Sequence, residues 1–176
     1  SSVSSFADSY SEQWGPEIGA DLPMLQAVDH KGNTRAFDDL KGKNGLLLFM
    51  NRSADWWPFC RRQLLELETW KKKFEEQGIH VTAMTYDTIE ISRKFVNENN
   101  LTYPFLRDEN AQHVSVYNIL NENYKPGDPG YGVPHPGVLY ITEDGIVAFK
   151  FAAPGFRDRP SFEAIYNGVL NLQWNL

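Results

Sequence analysis

The sequence predicts a three-layer α/β/α sandwich around a central mixed β-sheet, with an N-terminal β-hairpin extension. Three observations carry this. Residues 45–51 are a short apolar run flanked by glycine and polar residues, the pattern of a strand buried on both faces. Beyond it, segments of strand and helix character alternate up to about residue 120. Finally, residues 138–142 and 146–151 flank the turn Glu143-Asp144-Gly145 as an antiparallel hairpin, and Ser161 caps a closing helix.

The elements follow in order. Residues 1–17, serine-rich with Gly15 and Pro16, read as an arm with one short helix, and residues 18–176 as a single domain without internal repeats. Residues 24–28 and 34–37 form a hairpin around Asp29-His30-Lys31-Gly32-Asn33, a turn composition. After the apolar strand, Pro58 suits the first turn of a helix. Leu64, Leu67, Trp70 and Phe74 then recur at helical spacing, and Gly78 is the stop. Residues 79–86 read as a second strand. Residues 88–99 read as a helix with Ile91, Phe95 and Val96 on one side. A short strand at 103–106 and a helix at 111–120 precede a Pro/Gly-rich loop over 121–136. The last helix runs from Ser161 to about residue 172.

Composition excludes several classes. The 176 residues are 41% hydrophobic and 14% aromatic with net charge −6, a globular balance able to build a sizeable core. The one basic block, Lys71-Lys72-Lys73, gives no basic field for nucleic acid. No apolar run is long enough to span a bilayer. One cysteine supports neither an internal disulfide nor a zinc cluster, and His30, His80, His113 and His135 lack metal-ligand spacing. No glycine-rich phosphate loop is present, so neither cofactor nor metal is expected. The compartment stays open: cytoplasmic, or exported after processing.

Cys60 is the residue that points to chemistry. It lies about ten residues after the buried strand, in the opening turn of the long helix, where unpaired N–H groups and the helix dipole favour an anion. Arg61 and Arg62 add positive charge, and Asp55 opposes it. The alternative is an inert thiol, since free cysteine is among the most buried residue types. Trp56, Trp57 and Phe59 either wall an apolar pocket over the thiol or mark a partner surface. Asp87-Thr88 and the glutamates of the long helix read as capping and solvated faces.

The stretch Asn51-Arg52-Ser53-Ala54-Asp55-Trp56-Trp57-Pro58-Phe59-Cys60 resembles the active-site loop of the thioredoxin-like superfamily, in its redoxin or AhpC/TSA (peroxiredoxin-like) branch. The resemblance spans roughly residues 18–170. It includes Gly19-Ala20-Asp21-Leu22-Pro23, Leu40-Lys41-Gly42-Lys43 and Val133-Pro134-His135-Pro136-Gly137. It implies a thioredoxin-like fold with a cis-proline at Pro136 facing the loop, and places His135 near Cys60, within reach of a thiolate or ligand.

The sequence also departs from the family pattern. Trp57 stands where relatives carry the first cysteine of a CxxC, so dithiol exchange within one chain is removed. The peroxiredoxin pattern Pro-x-x-x-Thr/Ser-x-x-Cys maps onto Ser53, Trp57 and Cys60, keeping the thiol but neither the proline nor the hydroxyl donor. The resemblance implies a one-cysteine antioxidant oxidoreductase. Cys60 attacks a peroxide, with Arg52, Ser53, Trp57, Pro136 and Arg157 around the substrate. Its partners are a small peroxide or disulfide and an external thiol reductant, glutathione or a thioredoxin-like protein, with a homodimer admitted. Two other readings stay open: a thioredoxin-fold binding module that has lost catalysis, and a dithiol oxidoreductase disabled at Trp57.

Overall fold

The computed structural model describes residues 10–153 and 161–174. Seven strands form one mixed sheet: β1 (Gln26–Asp29), β2 (Thr34–Ala36), β3 (Leu46–Met50), β4 (His80–Thr85), β5 (Phe105–Arg107), β6 (Gly137–Ile141) and β7 (Val147–Ala152). Their spatial order is β2-β1-β5-β4-β3-β6-β7. β3 runs parallel to β4, and β4 to β5, while β6 lies antiparallel to β3 and β7 to β6. After a short helical stretch at residues 10–13, the numbered helices are α1 (Phe37–Leu40), α2 (Pro58–Glu76), α3 (Ile89–Glu98), α4 (Gln112–Val116) and α5 (Phe162–Trp174). This is the thioredoxin-like α/β arrangement expected from the sequence.

The central position of β3 follows from its composition. All five of its residues are buried, and because side chains alternate across a strand they feed two cores. Leu47 and Phe49 pack with Leu64, Leu67 and Phe74 of α2, Phe95 of α3 and Ile165 of α5. Leu46, Leu48 and Met50 face the opposite layer, with Trp14, Leu40, Val114 and Tyr117. Each such side chain contributes about 1.5–3 kcal/mol by leaving water. The N-terminal segment joins this second layer. Trp14 is buried and its Nε1 donates to the His135 carbonyl at 2.7 Å. Its ring lies so close to Gly137 that a Cβ there would meet it at 2.6 Å.

Helix ends follow local chemistry. Pro58 is the first residue of α2, and Gly78 at φ +77° ends it, against Asn44. The Ser161 Oγ accepts the Ala164 N–H at 3.1 Å and caps α5. Two elements differ from expectation. Phe37 opens α1 rather than ending a strand, because the Asp39 carboxylate accepts the Ala36 N–H at 2.9 Å and turns the chain. The helix expected over 111–120 is a 3₁₀ turn at Glu109–Ala111 and then a short α4. The buried Asp108 carboxylate accepts the His113 and Val114 N–H groups and sets the start of α4. Asn118 at φ +59°, in the left-handed region, follows its end.

Candidate active site

The strand β3 delivers its chain to the C-terminal end of the sheet, and the Asn51 N–H extends the ladder by donating to the Met84 carbonyl at 3.0 Å. Residues 51–57 loop over that end, and α2 starts at Pro58, so Cys60 is its third residue. Cys60 is free and fully buried. Its Sγ donates to Asn51 Oδ1 at 2.6 Å, and the same oxygen accepts the Arg52 N–H at 2.9 Å.

A second buried group holds the loop. Asp87, just after β4, accepts the Ser53 hydroxyl on Oδ1 at 2.6 Å. Its Oδ2 takes the Ala54 N–H at 2.8 Å and the Thr85 hydroxyl at 2.7 Å. The Ser53 Oγ in turn accepts the Asp55 N–H at 3.0 Å. Burial raises the Asp87 carboxyl pKa above the ordinary range, and the hydrogen bonds from Ser53, Ala54 and Thr85 only partly counter this. Thr88 caps α3 as expected, its Oγ1 accepting the Ile91 N–H, but Asp87 anchors the loop instead of capping a helix.

The cations near the thiol are engaged by aromatic rings. The Arg52 guanidinium sits 4.6 Å from the Trp57 ring centre, and that of Arg61 lies 5.3 Å from Phe95 while donating to the Ala54 carbonyl. Trp56 is 39% exposed, stands edge-on to Trp57 at 4.8 Å and donates its Nε1 to the Tyr86 hydroxyl at 2.7 Å. Burial raises the Tyr86 phenol pKa.

Of the residues singled out from sequence, the structure gathers Arg52, Ser53, Trp57 and Cys60 on one loop and helix start. Pro136 comes to the same end of the sheet, because Gly137 is the register partner of Met50. With Phe49, Gln63, Phe151 and Phe162 it lines a narrow apolar cleft of about 20 Å³. Pro136 departs from the cis geometry expected of it: among the described residues no peptide bond is cis. The X–Pro trans preference is only about 0.5–1 kcal/mol, so local contacts decide the isomer. Here the His135 N–H donates to the Ile119 carbonyl at 2.7 Å, and the His135 carbonyl is held by Trp14. His135 Nε2 pairs with Glu122 at 2.7 Å rather than with the thiol. Arg157 lies outside the described residues.

Sequence reading missed Asn51 and Asp87 as site residues, and also the buried pair His113–Asp108. There the Nδ1 lies 2.9 Å from the carboxylate, and the Nε2 accepts the Gln26 N–H.

A lone buried thiol in the first turn of the helix that follows the central strand of a mixed sheet defines the class: a thioredoxin-fold protein with a one-cysteine site. The model of the AhpC/TSA family matches residues 18–150, and the chain belongs to that family. It is 25% identical over 139 residues to the thiol-disulfide oxidoreductase ResA of Bacillus cereus, covering 78% of this chain and 71% of the relative. To 1-Cys peroxiredoxin A of Oryza sativa it is 22% identical over 158 residues, covering 86% and 70%. In fold it resembles the yeast mitochondrial 1-Cys peroxiredoxin (TM-score 0.75, 17% identity), covering 90% of this chain and 77% of that one. Among the described residues no helix is long and apolar enough to cross a membrane.

Proposed function

We propose that the protein is a one-cysteine thiol peroxidase in which Cys60 is the attacking group. The observation that carries this is the placement of the chain's single thiol in the first turn of α2, hydrogen-bonded to Asn51. The thiol gives up its proton and the sulfur bonds to the terminal oxygen of a peroxide. The O–O bond breaks, and the departing oxygen takes a proton to leave as water or an alcohol. Sulfur is oxidised to sulfenic acid and the peroxide is reduced. With no second cysteine in the chain, the sulfenic acid condenses with an external thiol, and a second thiol equivalent releases Cys60. Glutathione and thioredoxin-like proteins fit this part, since the yeast mitochondrial 1-Cys peroxiredoxin is resolved through the glutathione and thioredoxin systems. A homodimer is compatible with this chemistry and not required by it.

The test is the rate of Cys60 oxidation by hydrogen peroxide, with dimedone trapping the sulfenic acid and intact mass as readout. The expected result is oxidation much faster than that of a free thiol, and none in Cys60→Ser. Oxidation at the free-thiol rate overturns the reading. It would favour the binding module, which has its own support in the complete burial of Cys60 beside the exposed Trp56.

A further inference from the structure

One buried donor beside the thiol has no acceptor. Asn51 is fully buried, and its Oδ1 takes both the Cys60 S–H and the Arg52 N–H, yet its Nδ2 has no hydrogen-bond partner. The Arg52 N–H fixes which amide atom is which, since exchanging them would set donor against donor. Leaving such a group unpaired in the interior carries its full desolvation cost. The orphan Nδ2 sits on the same amide carbon as the oxygen that touches sulfur, one bond angle away from it.

Peroxide reduction needs a donor here. As the O–O bond breaks, negative charge gathers on the departing oxygen, and a positioned N–H or O–H that meets it lowers the barrier. The hydroxyl that the family pattern supplies is replaced by Trp57. The Ser53 hydroxyl donates its hydrogen bond to Asp87, and the Arg52 guanidinium lies against the Trp57 ring, with its buried Nε also unpaired but without a contact to the sulfur. Asn51 carries the uncommitted N–H closest in bonding terms to the sulfur.

We propose that Asn51 is the second catalytic side chain of this site. Its Oδ1 accepts the hydrogen bond of the thiol in the resting state, and its Nδ2 then donates to the oxygen that gains charge as Cys60 attacks. This rests on the reading of Cys60 as the attacking thiol. Once the thiol proton has left, Oδ1 faces sulfur with no hydrogen between them. A half turn about Cβ–Cγ then brings Nδ2 to that side. The turn also sets Nδ2 against the Arg52 N–H, replacing a neutral hydrogen bond by a donor–donor contact, and what offsets this is a hydrogen bond to an anion, roughly twice as strong as a neutral one.

The experiment measures two rate constants for Cys60, with hydrogen peroxide and with iodoacetamide, in the wild-type chain, Asn51→Leu and Asn51→Asp. Alkylation expels iodide and asks only for an available thiolate, whereas peroxide reduction also asks for a donor to the departing oxygen. The ratio of peroxide to alkylation rate is expected to fall at least about tenfold in both variants. A ratio held within about twofold of wild type overturns the proposal, because a residue that only shapes the loop or the thiol moves both rates together. If Asn51→Leu does not fold, Asn51→Asp carries the test, since it keeps an acceptor for the thiol and for Arg52 while removing the donor. Failure of the underlying reading looks different: the wild-type chain itself then reacts with peroxide no faster than a free thiol.

Discussion

Ser53 and Asp87, 34 residues apart in the chain, meet at 2.6 Å in the interior, with the serine hydroxyl donating to the carboxylate. Through this contact and the Ala54 N–H, the end of β4 holds the loop that leads to Cys60. The family resemblance placed Ser53 where peroxiredoxins have proline. A proline stiffens a loop by fixing φ, whereas here a buried carboxylate holds the same loop by hydrogen bonds.

Removing that anchor is expected to cost stability and reactivity together. Asp87→Ala strands the Ser53 and Thr85 hydroxyls and the Ala54 N–H, all in buried surroundings. A loss of about 2–4 kcal/mol is expected in urea unfolding. Peroxide oxidation of Cys60 is expected to slow even where the variant remains folded, because Asn51 and Cys60 sit at the two ends of the released loop. Unchanged kinetics in a folded variant would show that the loop keeps its shape without Asp87.

His30 gives a pH dependence of known sign. Burial, the largest cause, lowers its pKa below the usual 6.5. Lys31, Arg93 and Arg35 act in the same direction against Asp29. Its Nδ1 accepts the Phe105 N–H at 3.2 Å, which requires the ring nitrogen to be unprotonated. The unfolded chain therefore binds a proton that the folded chain refuses. The contribution is fully present above pH 6.5 and is lost as pH falls from there through the folded-state value. The urea midpoint is expected to fall on acidification below pH 6.5, with a shallower fall in His30→Gln. Equal slopes in the two chains would assign the titration to other groups. Asp87 behaves in the opposite sense. Its raised pKa means that acid protonates it in place, and its contribution weakens as pH rises through the folded-state value.

The fold was legible wherever one segment carries its own signal, and illegible where a distant side chain decides. β3 needed only its apolar run, and α2 only Pro58, its helical spacing and Gly78. The start of α4 at Gln112 depends on the buried Asp108 carboxylate, which reads from sequence as one more loop aspartate. Within the site, Cys60 stood out by being unique. Asn51 and Asp87 did not, because an asparagine after a strand and an aspartate before a helix are common. What sets these two apart is burial and partners 9 and 34 residues away.

The His113–Asp108 pair is expected to be a structural tie. The His113 Nε2 accepts the Gln26 N–H at 3.2 Å, and its Nδ1 faces Asp108, so one ring links β1 to the start of α4. His113→Leu leaves Asp108 short of a partner and the Gln26 N–H without its acceptor, at a cost of about 1–3 kcal/mol. Hydrogen exchange at Gln26 is expected to quicken while peroxide oxidation of Cys60 keeps its rate. A selective loss of Cys60 reactivity would connect this pair to the site and contradict its assignment as a tie.

Trp57 offers the sharpest comparison with the family pattern. It is the N-cap of α2 and makes no side-chain cap hydrogen bond, and its ring carries the Arg52 guanidinium. Trp57→Thr changes three things. A threonine at an N-cap satisfies one free N–H of the helix, contributing about 1 kcal/mol against the loss of tryptophan packing. It restores a hydroxyl three residues before Cys60, where the peroxiredoxin pattern has one, and it releases Arg52 from the ring. Both latter changes bring donors toward the oxygen that gains charge, so sulfenic acid is expected to form faster with hydrogen peroxide while alkylation changes little. If the two rates rise together, the tryptophan acts as a cover over the thiol. If neither rises, the missing hydroxyl is not what limits this site, and Asn51 already supplies the donor that the pattern assigns to threonine.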